Sequence, residues 1–201
     1  MIGKYPAILF IVCACAASSC GRGARLPEDL SRAESLLDSR PDSALAILDS
    51  ASYSESSGRY LYASYCLLRT FAEYNAYKPG IDEAMMNVGV DYFLKYGNRN
   101  RKAQAYYLRA VVRQDNKSGS EAEWAGDLLL ATKEIKRSDN HMLAALINLR
   151  YAVVLNDRKW YDASLPYMEK GLEEAEKAGS LPLQVTALIN MSHRSLFLGD
   201  E

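Results

Sequence analysis

Cysteine is scarce in this sequence of 201 residues, and its distribution excludes one source of stability. Three of the four cysteines lie within the first twenty residues, so only Cys66 remains in the rest of the chain. One thiol cannot form an internal disulfide, and the folded part must therefore be stabilised by packing. Cys66 lies beside Tyr65, Leu67 and Leu68 with no histidine near it in sequence, which predicts a buried, unreactive thiol.

Histidine and net charge are also low, and each shortage argues against a class of protein. The two histidines, His141 and His193, are far apart and belong to no metal-binding or catalytic spacing, and there is no glycine-rich phosphate loop. The 24 basic residues are balanced by 25 acidic residues, which argues against a nucleic-acid surface. The sequence therefore predicts a protein that is not an enzyme and uses no metal, cofactor or nucleic acid.

Strong helix formers, mainly Ala, Leu, Glu, Lys and Arg, fill long stretches of the chain, and strand-like alternation is rare. Pro41 fits the first turn of a helix, where its missing N–H is harmless, and Asp42 favours the positive helix end. Breaks at 78–80, 97–98 and 117–119 all contain glycine and are typical of helix ends. The pattern predicts an all-α protein with helices at 28–39, 41–51, 58–77, 81–96, 99–115, 120–137, 141–157, 160–178 and 182–198.

Two short sequences recur at a nearly constant spacing. Residues 145–148, Ala-Leu-Ile-Asn, recur as 187–190 after 42 positions, and Leu108-Arg109 recurs as Leu149-Arg150 after 41. A period of this length in a chain of paired helices indicates stacked αα-hairpins, each of which buries its apolar face against its neighbours. We expect an αα-hairpin solenoid of about four helix pairs followed by an unpaired last helix.

The N-terminus has the layout of a secretory signal peptide. A single cation, Lys4, precedes an apolar run at 7–17, and the small residues Ser18 and Ser19 precede Cys20. The run is about eleven residues long, too short for a membrane-spanning helix, which needs about eighteen or more. The sequence therefore predicts that residues 1–19 direct export and are then removed.

Residues 17–20, Ala-Ser-Ser-Cys, resemble the lipobox of bacterial lipoproteins, in which the cysteine is acylated and becomes the first residue after cleavage. The resemblance implies lipidation of Cys20, a short tether at 20–27 and attachment to a membrane. Residues 21–25 lack the early acidic pair of surface-exported Bacteroidetes lipoproteins, so we expect a periplasm-facing protein. An ordinary signal peptide with an incidental cysteine, or cleavage within residues 12–15, is the alternative.

Small residues in the predicted helix at 160–178 resemble those of a tetratricopeptide repeat. Ser164 and Gly171 stand seven positions apart, with Tyr161 three before Ser164, as in the second helix of such repeats, where small residues allow close helix approach. Residues 198–200, Leu-Gly-Asp, are similar to that family's turn between helices. The resemblance implies a right-handed superhelix whose first helices line a concave, ligand-binding face. The period exceeds the usual value of about 34, and Trp160 lies in a turn, not at the family's tryptophan position in a first helix.

Residues 33–50 resemble the first hairpin of tetratricopeptide proteins from Bacteroidetes, whose repeats often form the N-terminal sensory part of larger regulators. In those regulators a membrane helix and a DNA-binding domain follow the repeats, and neither is present here. We therefore expect the repeat domain, residues 28–201, to be truncated at its C-terminus, so that the helix at 182–198 lacks a covering partner. Its apolar residues are expected to be partly uncovered: Leu183, Val185, Leu188, Ile189 and Leu196.

One face of the predicted helix at 99–115 carries the candidate ligand contacts, which we call the basic strip. Its members follow the spacing i, i+4, i+7, i+11: Lys102, Tyr106, Arg109 and Arg113. Such a strip can accept a carboxylate or an acidic peptide, although an ordinary solvated face has the same pattern. Asn148 and Asn190 recur in register and are further candidates for the same concave face.

These features predict a lipid-anchored scaffold that binds a protein or peptide, as the resemblance to sensory input modules implies. The alternative is a nutrient-binding lipoprotein, similar to the glycan-capturing, tetratricopeptide-containing outer-membrane family of the same bacteria. Fourteen tyrosines can supply stacking surfaces for sugars, but most of them lie in apolar contexts that are typical of a core. Tyr62, Tyr77 and Tyr106 are the tyrosines left as candidates for binding.

Overall fold

The computed structural model describes residues 25–198, and within this range the protein is all-helical, without a strand. The predicted signal peptide at 1–19, Cys20 and the turn at 199–200 lie outside the described residues. A short 3₁₀ turn, Glu55–Ser57, separates the second and third helices. The α-helices are α1 (Glu28–Leu36), α2 (Pro41–Ser50), α3 (Arg59–Asn75), α4 (Glu83–Tyr96), α5 (Arg99–Asp115), α6 (Glu121–Ile135), α7 (His141–Asp157), α8 (Tyr161–Lys177) and α9 (Leu181–Leu198).

All nine predicted helices are confirmed, and the largest shift is at the end of α1. This helix ends at Leu36, three residues before the predicted end at residue 39. Pro41 disfavours the helical conformation of the residue before it, and Arg40 accordingly has φ −147° and ψ 66°. The chain therefore leaves the helix early and starts α2 with Pro41 in its first turn, as the sequence predicts.

Each helix packs against the next one in the chain, and the pairs α3–α4, α5–α6 and α7–α8 have the most extensive contacts. First helices also contact one another, since α1 touches α3, α3 touches α5, and α7 touches α9. A continuous core runs from α1 to α7 and includes fully buried leucines such as Leu30, Leu67, Leu108 and Leu128. Burial of each such side chain contributes about 1.5–3 kcal/mol.

The same left-handed turn ends the first helix of three successive pairs. Tyr77, Lys117 and Lys159 have φ values of 55°, 56° and 61°. In each turn the following N–H returns to a carbonyl of the last helical turn, as from Lys78 N to Glu73 O at 3.0 Å. This Schellman geometry satisfies the last carbonyls of the helix and directs the chain back along it. The sequence did not reveal the left-handed positions because none of these three residues is glycine.

Polar side chains near the ends of the first helices bind the loop of the preceding pair. The Asn75 amide donates to the Leu37 carbonyl at 2.9 Å. One repeat later, Asn116 donates to the Ile81 carbonyl at 2.9 Å. Successive hairpins are thus joined by equivalent hydrogen bonds as well as by apolar packing.

Small residues mark the closest helix approaches. A Cβ at Gly171 would lie 2.5 Å from Leu149 Cδ2, and Ser164 is completely buried, so the predicted close approach of α8 to its neighbour is confirmed. Gly89 plays the same part in α4, where a Cβ would lie 2.8 Å from the backbone nitrogen of Leu67. The sequence analysis missed Gly89 because no partner small residue accompanies it at the expected spacing.

The outer face of α9 is apolar and exposed. Val185, Leu188 and Ile189 are 54%, 54% and 49% exposed, which confirms that they are uncovered. Leu183 is half-buried, and the side chain of Leu196 lies outside the described residues. Among the described helices, none combines the length and apolarity needed to cross a membrane.

Candidate binding groove

The basic strip lies on α5 as the spacing predicts, with its four side chains half-buried. The opposite side of the helix is buried, including the four positions that the pattern assigns to the core: Ala103, Tyr107, Ala110 and Val111. The strip does not point toward other first helices. Its arginines instead face the second helices α4 and α6, which flank α5.

Arg109 forms a two-point ion pair with Asp127 of α6. Its Nε and Nη2 donate to the two carboxylate oxygens at 2.7 and 2.6 Å. The Asp127 side chain is only 9% exposed, and the hydrogen bond to it raises the pKa of Arg109. The guanidinium also lies 5.6 Å from the ring centre of Tyr106. Both groups of the pair are therefore committed to holding α5 against α6.

Arg113 is engaged on the other side of α5. Its Nε lies 3.7 Å from a carboxylate oxygen of Glu83, the first residue of α4. The other Glu83 oxygen accepts from Asn116 at 3.1 Å and from the Ser118 hydroxyl. Among the described residues Lys102 is the one cation of the strip that has no carboxylate partner.

The two asparagine candidates lie on α7 and α9, away from the strip. Asn148 stands eight residues after the N-cap Asn140, as Tyr106 stands eight after the N-cap Asn98. It therefore occupies the position of Tyr106 in the next repeat, where it is only 6% exposed. Asn190 is half-buried on α9.

A groove lies beside Asn148, with α6 and α8 as its walls and α7 as its floor. Its volume is about 460 Å³, within the range of pockets that hold small ligands or a few residues of a peptide. Leu129, Pro166 and Tyr167 supply apolar surface on the walls, and Ala144 and Asn148 form the floor. We call this the α6–α8 groove.

A carboxylate that is already paired with three side chains lies at one end of the groove. Glu174 of α8 lies 2.7 Å from His141 Nδ1 and within 3.1 Å of the amines of Lys170 and Lys177. Burial raises the pKa of Glu174, but hydrogen bonds from His141, Lys170 and Lys177 outweigh this effect and lower the pKa to about 2. Glu174 is therefore ionised at neutral pH and joins the start of α7 to the end of α8, which leaves it no proton to donate as a catalytic acid.

Two lysines on the α6 wall have no such partner. Lys133 and Lys136 are exposed and form no ion pair with any described residue. On the floor, the Asn148 amide nitrogen donates to Ala144 O at 2.7 Å, whereas Oδ1 accepts no hydrogen bond from the described part of the chain. The groove thus presents two free cations and one free acceptor. The sequence did not single out these lysines, and the recurrence of Asn148 was the one signal that pointed to this groove.

A second depression lies between α3 and α4 and is rich in aromatic side chains. It has a volume of about 530 Å³ and is lined by Tyr62, Tyr92 and Tyr96, with Asp91 and Arg59 at its rim. The rings of Tyr92 and Tyr96 are 5.1 Å apart, and Tyr96 is 54% exposed. Of the tyrosine candidates, Tyr62 lies here, Tyr106 lies under Arg109, and Tyr77 is 94% exposed in its turn.

The described residues contain no group of three or more His, Cys, Asp or Glu side chains placed to hold a metal ion. Cys66 is fully buried, as predicted, and burial raises the pKa of its thiol to about 11 despite an opposing hydrogen bond from Tyr62. The thiolate that a nucleophile requires is thus negligible near neutral pH.

Comparison with known proteins yields no matching protein family, no matching curated protein and no matching solved structure.

Proposed function

We propose that this chain is a non-enzymatic scaffold that binds a segment of another polypeptide in the α6–α8 groove. The observation that carries the proposal is the combination of free hydrogen-bonding groups, apolar walls and rigid helices in one groove. No described residue forms an ion pair with Lys133 or Lys136 or donates a hydrogen bond to Asn148 Oδ1. Arg109 and Arg113 of the basic strip, in contrast, are already in ion pairs. The helices fix the backbone of the groove residues in advance, so that ligand binding has to order only the two lysine side chains.

The finer architecture that we propose is a right-handed, tetratricopeptide-like superhelix of about four helix pairs with an unpaired last helix. Three repeated features support it: the left-handed turns at Tyr77, Lys117 and Lys159, the loop-binding asparagines, and the close approaches at Gly89 and Gly171. Arrays of this kind present extended surfaces to peptides and proteins. The proposed role is a sensory input module or the remnant of one.

The proposed location is the periplasmic side of a membrane, with the chain anchored through an acylated Cys20. This part of the proposal rests on the resemblance of residues 17–20 to a lipobox and on the apolar run before it. A lipid-anchored scaffold would concentrate its partner near the membrane.

Affinity capture tests the binding function. The purified chain, tethered through its N-terminus, is exposed to a detergent-solubilised lysate of the native bacterium, and bound proteins are identified by mass spectrometry. We expect one dominant partner that is lost in the Lys133→Glu/Lys136→Glu variant and kept in Lys117→Glu/Lys159→Glu. The control makes the same charge change on two exposed lysines in turns at the opposite ends of the helices. Recovery of chaperones and proteases alone would reject the scaffold function.

A second candidate function, glycan capture, is favoured by the aromatic depression between α3 and α4. Exposed tyrosine rings beside carboxylate and guanidinium groups are suited to stacking on sugars and to binding their hydroxyls. Calorimetric titration with a panel of soluble oligosaccharides tests it. A heat of binding that is measured for the original protein and lost in Tyr96→Ala would support this function. The absence of a heat of binding for every oligosaccharide would reject it.

A further inference from the structure

We infer that the segment held in the α6–α8 groove is acidic, with its carboxylates on Lys133 and Lys136 and one main-chain N–H on Asn148 Oδ1. This inference rests on the proposed binding function and specifies the chemistry of its partner.

The cations at the end of α6 and at the start of α5 lack internal ion-pair partners, and two of them, Lys133 and Lys136, line the groove. Arg99 and Lys102 at the start of α5 lie next to the end of α6, since the Ser138 hydroxyl and Asn100 Oδ1 are 3.5 Å apart. With Lys133, Lys136 and Arg137, they form a group of five cations, and none of the five is in an ion pair within the described chain. Two carboxylates, Glu134 and Asp139, are interspersed among the five, so the group keeps a positive balance of three.

Helix electrostatics does not account for two of these cations. The positive end of the helix dipole is at the N-terminus, so a cation in the first turn is disfavoured. Arg101 in the same turn is compensated by Glu34 of α1 at 2.7 Å, but Arg99 and Lys102 have no such compensation. An external anion would supply the missing opposite charge.

The floor of the groove favours a polypeptide over other polyanions. Asn148 is 6% exposed, and its Oδ1, which accepts no hydrogen bond from the described residues, is accessible from the groove, where a donor of a ligand can reach it. A peptide main chain carries an N–H at every residue other than proline, so it can supply this donor while its side chains reach the lysines. A phosphodiester or an ionised carboxylate group carries only acceptors, so it cannot satisfy Oδ1 in this way.

The walls of the groove can accommodate an apolar side chain of the bound segment. Leu129 of α6 faces Pro166 and Tyr167 of α8 across the groove. An acidic segment with interspersed apolar residues would therefore match both the charge and the surface of the groove. A purely charged segment would leave this apolar surface in water.

Fluorescence anisotropy with the full chain tests the inference. The probe is a fluorescein-labelled peptide of alternating Glu and Leu, and its counterpart has Gln at every Glu. We expect the Glu probe to bind at least tenfold more tightly than the Gln probe, with an affinity that falls as salt is added. Lys133→Glu/Lys136→Glu should weaken binding of the Glu probe at least tenfold. Lys117→Glu/Lys159→Glu should change it less than twofold.

A separate variant tests the hydrogen bond between the ligand and Asn148 on the floor of the groove. Asn148→Ala should weaken binding of the Glu probe about fivefold while leaving its salt dependence unchanged, because the lost interaction is not ionic. Circular dichroism of each variant establishes that the fold is retained. Equal affinity for the Glu and Gln probes, or no effect of the lysine reversal, would overturn the inference.

Two other results separate this inference from the proposed function. Binding to vesicles of phosphatidylglycerol through the same lysines, with no binding of the Glu probe, would overturn it in favour of an anionic lipid surface. A captured protein partner that requires the groove lysines but docks through a segment without acidic residues would leave the scaffold function standing and reject the acidic ligand alone.

Discussion

Arg109 and Asp127 form a two-point ion pair that joins α5 to α6, with donor–acceptor distances of 2.7 and 2.6 Å. From the sequence alone, Arg109 is an exposed cation on a helix face and a good candidate for ligand contact. In the structure Arg109 is paired with the carboxylate of Asp127, which lies 18 positions further along the chain and has a side chain that is 9% exposed. The pair therefore stabilises the hairpin. A mutation of Arg109 is expected to lower the stability of the fold, whether or not Arg109 contacts a ligand.

Removal of one member of this pair should destabilise the fold. Arg109→Ala leaves Asp127 nearly buried without its partner, and we expect a loss of about 2–3 kcal/mol in the free energy of unfolding. Lys102→Ala, which removes an unpaired cation from the same face, should change it by less than about 0.5 kcal/mol. Urea denaturation followed by circular dichroism measures both variants. Equal stability of the two would show that the ion pair does not hold α5 to α6.

Two helical glycines should respond in opposite ways to alanine. At Gly89 a Cβ would meet the backbone nitrogen of Leu67 at 2.8 Å, so Gly89→Ala should destabilise the protein by about 1–2 kcal/mol. At Gly126 a Cβ would meet nothing within 4 Å, and the helix gains from the better helix former. Gly126→Ala should therefore stabilise it by about 0.5–1 kcal/mol. Thermal unfolding of the two variants checks the signs, and a gain in stability at Gly89 would contradict the close approach of α3 and α4.

Acid should weaken the junction between α7 and α8. The folded-state pKa of Glu174, about 2, lies below its ordinary value of 4.5, so the ionised form stabilises the fold. This stabilisation is fully present above about pH 4.5 and is lost as the pH falls toward 2, a change of about 3 kcal/mol. Glu174→Gln should flatten the dependence of unfolding free energy on pH in this window.

The matched control for this prediction is Glu176→Gln, an exposed carboxyl on the same helix that makes no ion pair with the described residues. The control should keep the acid-dependent slope of the original protein. If Glu174→Gln keeps the slope as well, the cluster of Glu174 with His141, Lys170 and Lys177 does not control acid stability.

Lipid attachment should depend on a single thiol. Cells that express the full chain are fed an alkyne-labelled palmitate, and the protein is examined for label. We expect incorporation in the original sequence and none in Cys20→Ser, with Cys15→Ser as the control that keeps the label. Label retained in Cys20→Ser and lost in Cys15→Ser would move the acylated residue to the alternative cleavage site.

The helices could be predicted from sequence because their signals are local. Residues 78–80 and 97–98 interrupt long runs of helix formers, and each interruption lies between two helices in the structure. The left-handed residues Tyr77, Lys117 and Lys159 could not be predicted, because none is of a residue type that favours this conformation, which the hydrogen bonds of the Schellman turn hold in place.

The binding surface was less predictable because it depends on how three helices cross. The spacing of Lys102, Tyr106, Arg109 and Arg113 placed them on one face of α5, but it carried no information on the carboxylates of α4 and α6 that face them. Lys133 and Lys136 belong to an unremarkable helix end in sequence. They become candidates only when α8 is placed opposite them and Asn148 lies between.

Photo-crosslinking in the cells of origin tests most directly whether the α6–α8 groove holds a polypeptide partner. A photo-reactive amino acid replaces Thr132, which lines the groove, or Lys117, which lies in the turn at the other end of α6. We expect one discrete protein adduct from position 132 and none from position 117. Adducts of equal yield from both positions, or no adduct from position 132, would contradict it.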